Sequence, residues 1–248
     1  MKLALISDLH GNLFAFDAVL EDIRQRKIEQ ILCLGDIVTG GPQPRETLAR
    51  LQEVGCPTVM GNTDSWVLEP ELREYSSQYG RYLQDFEYWS SQQLTAEDKA
   101  FIGTFQPTIL LPLDEKTSLL AYHGSPRSFL ERVYPTTTTE ELDNYFANFP
   151  SAQILVGGHV HQQFFFRYGD KLVLNPGSVG QPLDRRRVWQ EDGARNPPWG
   201  EYAIVTIEGK QFSVELLRVP FDIEGFLRVL SQRGMPHTEW LLNSWSRE

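Results

Sequence analysis

Cysteine is scarce in this 248-residue chain, which has two, Cys33 and Cys56. So few thiols exclude a disulfide framework and a structural zinc site built on thiolates. Long apolar runs are also missing. No stretch approaches the roughly 18 residues of a membrane span, and the apolar start at residues 3–6 meets Asp8 before a signal-peptide core can form. These absences point to a cytoplasmic protein that does not engage a membrane. Cys33 and Cys56 read as free buried thiols at opposite ends of neighbouring parallel strands. Positive charge is in deficit as well: 23 Lys and Arg against 33 Asp and Glu give a net charge of −10. Such a surface repels a polyanion, which argues against nucleic acid as a partner. Bound dications would reverse the sign locally and keep a phosphate substrate open.

What is present is an ordinary globular composition, 41% hydrophobic and 23% charged, with no linker and no repeat, and it reads as one domain over 1–248. Strand and helix signals alternate. Residues 2–7, 31–34 and 58–60 read as strands. Residues 12–26, with Leu13, Phe16, Val19, Leu20 and Ile23 at helical spacing, and residues 47–54 read as helices. The order βαβαβ predicts parallel pairing through right-handed crossovers. Residues 65–105 read as helical, with a capping box at Thr95 and Asp98, and offer no ligand. Strands resume at 108–111, 119–122, 154–156, 164–167, 171–174, 202–207 and 212–218, with more hairpins than crossovers, and helices at 223–231 and 237–245 close the chain.

Short polar clusters interrupt this pattern: Asp8-Leu9-His10, Gly35-Asp36, Gly61-Asn62-Thr63-Asp64, a lone His123, and Gly157-Gly158-His159-Val160-His161. Singly, the first three read as well as turns or helix caps, whereas the glycine pair before His159 and His161 is a stronger signal, with two structural histidines as its alternative. Together they hold four of the five histidines, and each falls at the predicted exit of a strand, the edge where α/β sheets bind ligands. Carboxylate and imidazole without thiolate suit Mn, Fe or Zn, and the set is large enough for two adjacent ions. Hydrolysis is the chemistry this predicts. His237 lies outside every cluster and reads as a surface residue.

The order of these clusters, with His123-Gly124-Ser125-Pro126 and Asn175-Pro176-Gly177-Ser178-Val179-Gly180-Gln181-Pro182, resembles the calcineurin-like metallophosphoesterases. Segments 158–161 and 175–182 resemble the small prokaryotic YfcE-like phosphodiesterase branch. The resemblance implies a four-layer α/β/β/α sandwich and two divalent ions, Mn by preference and otherwise Fe or Zn. It implies Asp8, His10, Asp36 and His161 on one ion, and Asp36, Asn62, His123 and His159 on the other. Asp36 then bridges, and hydroxide shared by the ions attacks phosphorus. Asp36, Asn62, His123 and His10 carry the catalysis in this reading. Asp64, Asn175, Gly177 and Ser178 support the site from behind, although 175–178 reads equally as a tight turn. Arg127 and Thr63 are the candidate substrate contacts; Arg127 reads equally as a solvated side chain, and Arg185-Arg186-Arg187 as a solvated loop face.

Two departures from the family pattern matter. Its usual histidine after the metal-binding Asn is Thr63 here, and a threonine cannot serve as an acid near pH 7. The leaving-group proton is therefore unassigned, with His10 as the next candidate, and aryl esters are expected to react faster than alkyl esters. Residues 186–199, with Trp189, Pro197, Pro198 and Trp199, form an apparent insertion that reads as a lid or a subunit contact in a homodimer. The Asp-Arg pair of protein phosphatases and symmetrical dinucleoside polyphosphate hydrolases is missing from residues 35–41, leaving a small-molecule phosphodiesterase or phosphatase as the expected activity. The alternatives are a non-catalytic scaffold, which would tolerate loss of the histidines this chain keeps, and a nuclease.

Overall fold

β1 (Lys2–Ile6) pairs in parallel with β2 (Gln30–Cys33), and α1 (Leu13–Gln25) connects them. The computed structural model describes residues 1–114, 117–183, 195–208 and 211–245. α1 forms because Phe16, Val19 and Ile23 recur on one buried face and Asn12 caps its start, accepting a hydrogen bond from the Ala15 amide at 3.0 Å. The first sheet has the order β2-β1-β8-β9, where β8 (Trp199–Glu208) and β9 (Gln211–Pro220) form a long antiparallel hairpin. The second has the order β3-β4-β5-β7-β6 and comprises β3 (Ile109–Pro112), β4 (Ser118–Ala121), β5 (Ile154–Val156), β6 (Gln163–Tyr168) and β7 (Lys171–Pro176).

The two-residue period of β1 assigns its faces. Leu3 and Leu5 pack with Leu119, Ala121, Ile154 and Val156 between the two sheets. Ala4 and Ile6 face outward onto Phe16 and Val19 of α1. On the far side of the second sheet, Leu120, Tyr122 and Leu155 bury Leu142 and Phe146 of α6 (Thr139–Phe146). The result is the four-layer α/β/β/α arrangement. α2 (Pro44–Val54), α3 (Asn62–Leu68), α4 (Gln78–Gln93) and α5 (Ala96–Ile102) follow β2, and α7 (Ile223–Gln232) and α8 (Thr238–Asn243) close the chain against α4 around Phe86, Phe226, Leu241 and Trp245. Among the described residues no helix is long and apolar enough to cross a membrane.

Five expectations change. Residues 58–60 form no ladder strand; Thr58 bridges Cys33 and Val59 bridges Gln106 singly, so the parallel unit in this first part of the chain is β1-α1-β2 alone. Helix α6, which crosses from β4 to its parallel neighbour β5, has no counterpart in the sequence reading. Cys33 and Cys56 are free, but they lie close together, because the Cys33 amide donates to the Pro57 carbonyl at 3.0 Å, and Cys56 is only half-buried. His237 is half-buried, stacked on Tyr82 with ring centroids 3.6 Å apart and bonded to Asp85 at 2.7 Å. Trp199 opens β8 and does not belong to an inserted loop. Most of the 186–199 segment, including Trp189, and the Arg185-Arg186-Arg187 run lie outside the described residues. At its described end, buried Asn196 donates to the Pro182 carbonyl at 3.0 Å and bridges Trp245.

Candidate metal centre

Asp8 and His10 follow β1, Asp36 follows β2, Asn62 opens α3, His123 follows β4, and His159 and His161 follow β5. Asp8, His10, Asp36, His159 and His161 all hold positive φ, from 45° to 69°. Such a backbone is uncommon for residues other than glycine, and it persists only where the surroundings enforce it, most often at functional sites. Glycine is required beside them. A Cβ on Gly158 would lie 2.2 Å from Ser7 Oγ and 3.0 Å from Asp8 Oδ2, and one on Gly61 would lie 2.1 Å from Asp36 Oδ1.

Backbone carbonyls orient the imidazoles. The Nδ1–H groups of His10, His123 and His161 donate to the carbonyls of Thr39, Leu34 and Gln181 at 2.7, 2.7 and 2.8 Å. Because a carbonyl only accepts, Nδ1 of each ring carries a proton, and Nε2 faces inward. His10 Nε2 and His161 Nε2 are then 3.0 Å apart, with Asp8 Oδ1 3.2 Å from the latter. Likewise His123 Nε2 lies 3.0 Å from Asn62 Oδ1 and 3.5 Å from Asp36 Oδ2. Asp8 Oδ1 and His159 Nε2 are buried with no hydrogen-bond partner. Two groups of acceptors thus converge, Asp8 with His10 and His161, and Asp36 with His123 and His159, the ligating atoms of each lying within 4.8 Å of one another. Asp36 Oδ2 is also 3.9 Å from His10 Nε2, between the groups. Buried carboxylates and imidazoles converging in this way fit divalent ions.

The carboxylates and imidazoles answer one another's charge. Burial would push Asp36 up, yet the adjacent His123 and His10 hold its carboxyl well below the usual range. Burial would push His123 down, yet Asp36 raises it to about 9. Burial together with His123 lowers His159 to about 4 and keeps it neutral, as a ligand must be.

A supporting layer fixes the carboxylates. Asp64 accepts from the amides of Asp36, Ile37 and Gly61 at 2.7, 2.9 and 3.1 Å, clamping the loop after β2 to the start of α3. The Thr63 amide donates to Asp36 Oδ1 at 2.9 Å, while the buried Thr63 hydroxyl is unpartnered. Asn175 donates to the Gly158 carbonyl at 2.7 Å and accepts from the Gly177 amide at 2.9 Å. Ser178 donates to the Asp8 carbonyl at 2.7 Å. Arg127 lines, with Asn62, Trp66 and Arg73, a cleft of about 440 Å³. Its guanidinium is bonded to Glu131 and to Asn144 and lies 5.0 Å from the Tyr145 ring centroid. Sequence reasoning passed over Glu87, a buried carboxyl on α4 with an unpartnered oxygen. No local pattern marks it: of its neighbours at helical spacing, Leu83 is exposed and Ser90 is polar.

The calcineurin-like phosphoesterase superfamily domain model matches residues 1–209. The chain is 29% identical over 256 residues to the uncharacterized protein MJ0912 of Methanocaldococcus jannaschii, covering 96% of this chain and 95% of that protein. A shorter match, 38% identical over 77 residues, covers 27% of this chain and 42% of phosphodiesterase YfcE from Escherichia coli K12. Among solved structures, a metallophosphoesterase from Sphaerobacter thermophilus superposes with a TM-score of 0.72 at 26% identity, over 98% of each chain. The hypothetical protein PH1004 from Pyrococcus horikoshii OT3 shares the fold, with a TM-score of 0.78 at 17% identity, over 100% of this chain and 98% of that one.

Proposed function

The chain belongs to the calcineurin-like phosphoesterase superfamily, and from that premise we propose that it is a metal-dependent hydrolase of small-molecule phosphate esters. The observation that carries this reading is the convergence of buried acceptor atoms from strand exits in both sheets, which a divalent cation satisfies. Two ions fit the donors, Mn by preference and Fe or Zn otherwise: Asp8, His10, Asp36 and His161 would hold one, and Asp36, Asn62, His123 and His159 the other. Bound there, such ions supply an activated water and neutralise charge on the phosphate. The chain's own contribution is placement. Asp64 fixes Asp36 through three amides, and Ser178 and Asn175 fix the loops that carry Asp8 and His159.

The cleft beside Asn62 receives the ester, with Arg73 and Arg127 on its walls. Because Arg127 is already neutralised by Glu131, it serves this cleft by shaping it more than by pairing with phosphate. A net charge of −10 favours small substrates over nucleic acid. Free Cys33 and Cys56 fit a reducing compartment, so the cytoplasm is the expected location. The test is metal analysis together with hydrolysis of bis-p-nitrophenyl phosphate in the presence of Mn. Bound metal with turnover is expected; bound metal without turnover across mono- and diesters would leave the scaffold reading in its place.

A further inference from the structure

The cleft beside Asn62 draws on two segments that each also carry a proposed metal ligand. α3 and its C-cap supply Asn62, Ser65, Trp66 and Glu69, whose spacing of three and four residues sets them in one line along the helix. With a rise of about 1.5 Å per residue, that line runs roughly 10 Å outward from Asn62. Trp66 is fixed in it, its indole N–H donating to the Glu71 carbonyl at 3.0 Å. The loop that follows His123 supplies Pro126, Phe129 and Leu130. This loop is tightly closed: the Ser125 amide donates to the Ser128 carbonyl at 2.8 Å, and a Cβ on Gly124 would lie 2.6 Å from the Phe129 carbonyl oxygen. Leu130 is 58% exposed, and Leu72, between the lining residues Glu71 and Arg73, is 84% exposed; these are the two most exposed large apolar side chains among the described residues. Uncovered apolar groups gathered at one cleft mark a surface that a ligand covers.

We propose that this cleft seats a flat ring, aryl or heteroaryl, on the organic arm of the phosphate ester, and that Trp66 and Phe129 select for it. The proposal rests on the phosphoesterase reading and narrows its substrate class. With the phosphate held at Asn62, an arm laid along α3 meets Trp66 next and reaches Glu69 roughly 10 Å out. A ring joined to the phosphate directly or through a sugar fits within that length. Aromatic side chains offer flat faces on which a ring stacks, a contact that a flexible alkyl arm forfeits. The volume of about 440 Å³ suits a single arm of this kind. Arg127 is paired with Glu131 and adds no net charge, so the apolar faces decide what binds. Glu69, Glu71 and Arg73 supply acceptors and donors for a polar ring edge. The preference is one of binding, separate from any advantage that an acidic aryl leaving group brings to the chemical step.

Phosphonates test this, because their P–C bond leaves no group to depart. Methylphosphonate, phenylphosphonate, naphthylmethylphosphonate and a nucleoside phosphonate are compared on the Mn-loaded protein, by calorimetry and as competitive inhibitors of bis-p-nitrophenyl phosphate hydrolysis. Phenylphosphonate should bind at least about 10-fold more tightly than methylphosphonate, a discrimination within reach of an apolar pocket. The naphthyl and nucleoside arms separate the two sources of a flat ring, and the tighter binder identifies which one the cleft takes. Phe129→Ala should cut the phenyl-over-methyl ratio by about 3-fold or more. Leu130→Ser, at an exposed position, should lower the same ratio and keeps the test decisive should Phe129→Ala fail to fold. Equal affinity for all four ligands, no binding of any while the ester is still hydrolysed, or a ratio that neither variant moves would overturn the ring site and leave the phosphoesterase reading standing. Self-association that Leu130→Ser abolishes, with the ratio unmoved, would assign the exposed leucines to a second copy of the chain instead. A Mn-loaded protein that binds no phosphonate and hydrolyses no ester would overturn the function and the ring site together.

Discussion

Asp36 shows how much of the site rests on single atoms. Its Oδ1 accepts from the Thr63 amide, and its Oδ2 stands 3.5 Å from His123 and 3.9 Å from His10. Replacing it with Asn keeps the shape but removes the charge facing both ligand groups. Asp36→Asn should lose at least one metal and about 10²-fold or more in turnover, comparable to losing one preorganised group at a transition state. His123→Ala should deplete the Asn62 side of the centre first. Metal analysis by plasma mass spectrometry with steady-state kinetics checks both; full occupancy with full activity in Asp36→Asn would sink the bridging role. The residue types at these positions were legible in the sequence because ligand chemistry is written in side chains. Their backbone was not. Positive φ at Asp8, His10, Asp36, His159 and His161 arises from long-range contacts such as Gly180 donating to the Asp8 carbonyl, and no local propensity encodes it.

At the scale of elements, the sequence reported helices and strands well where one face alone decides burial. β5 and the Thr95 and Asp98 capping box of α5 were read directly, the box closing with the Thr95 amide on Asp98 at 2.8 Å. Residues 58–60 misled because the β-branched pair Thr58-Val59 beside Met60 can be buried through single bridges without entering a ladder. α6 was missed because it is one short helix with few core-facing residues, Leu142 and Phe146. Asn12 links an element to the site: its Oδ1 caps α1 while its Nδ2 donates to the Gly180 carbonyl at 3.0 Å. Asn12→Ala forfeits a cap and a buried bond, together about 1–3 kcal/mol. Calorimetry should show Tm lowered by about 2–4 °C per kcal/mol; an unchanged Tm would mean that water replaces both partners.

α4 carries a pH-dependent stability effect of its own. The Glu87 pKa is raised from 4.5 to about 7 by burial first, with Arg73 opposing and Asp36 adding. A carboxyl raised in the folded state contributes its stability below the unfolded value and loses it as pH rises through the folded one. Between pH 4.5 and about 7 the unfolded chain releases this proton and the folded chain keeps it. Above that window the folded state carries a buried charge at a cost of up to about 3 kcal/mol. Glu87→Gln cannot ionise, so its stability relative to wild type should rise between pH 5 and pH 8. Urea unfolding at both pH values measures the difference, and a constant offset would mean that Glu87 is ionised throughout.

Across the whole molecule, the proposed metal ligands divide between the two halves of the sandwich. Asp8, Asp36 and Asn62 follow the first sheet's strands and the adjoining 58–60 segment, whereas His123, His159 and His161 leave the second sheet. Between them the sheets share one apolar layer that includes Leu3, Leu5, Leu119 and Val156, which fixes their separation but resists sliding only through side-chain shape. A cation gripped from both sides would tie the strand exits together, and it would bind the folded chain far better than the unfolded one, where the proposed ligands are scattered over more than 150 positions, from Asp8 to His161. Linkage then demands added stability of about 2.7 kcal/mol at a metal concentration 100 times Kd. For a chain of this length that is about 5–11 °C in Tm. Mn should raise Tm by that order, EDTA should reverse the gain, and Asp36→Asn should blunt it. His237→Ala, which alters a histidine remote from the centre, should leave the Mn-induced shift intact even if it lowers the baseline. A shift that survived in Asp36→Asn at full size would place the stabilising ion elsewhere and separate metal binding from the strand exits altogether.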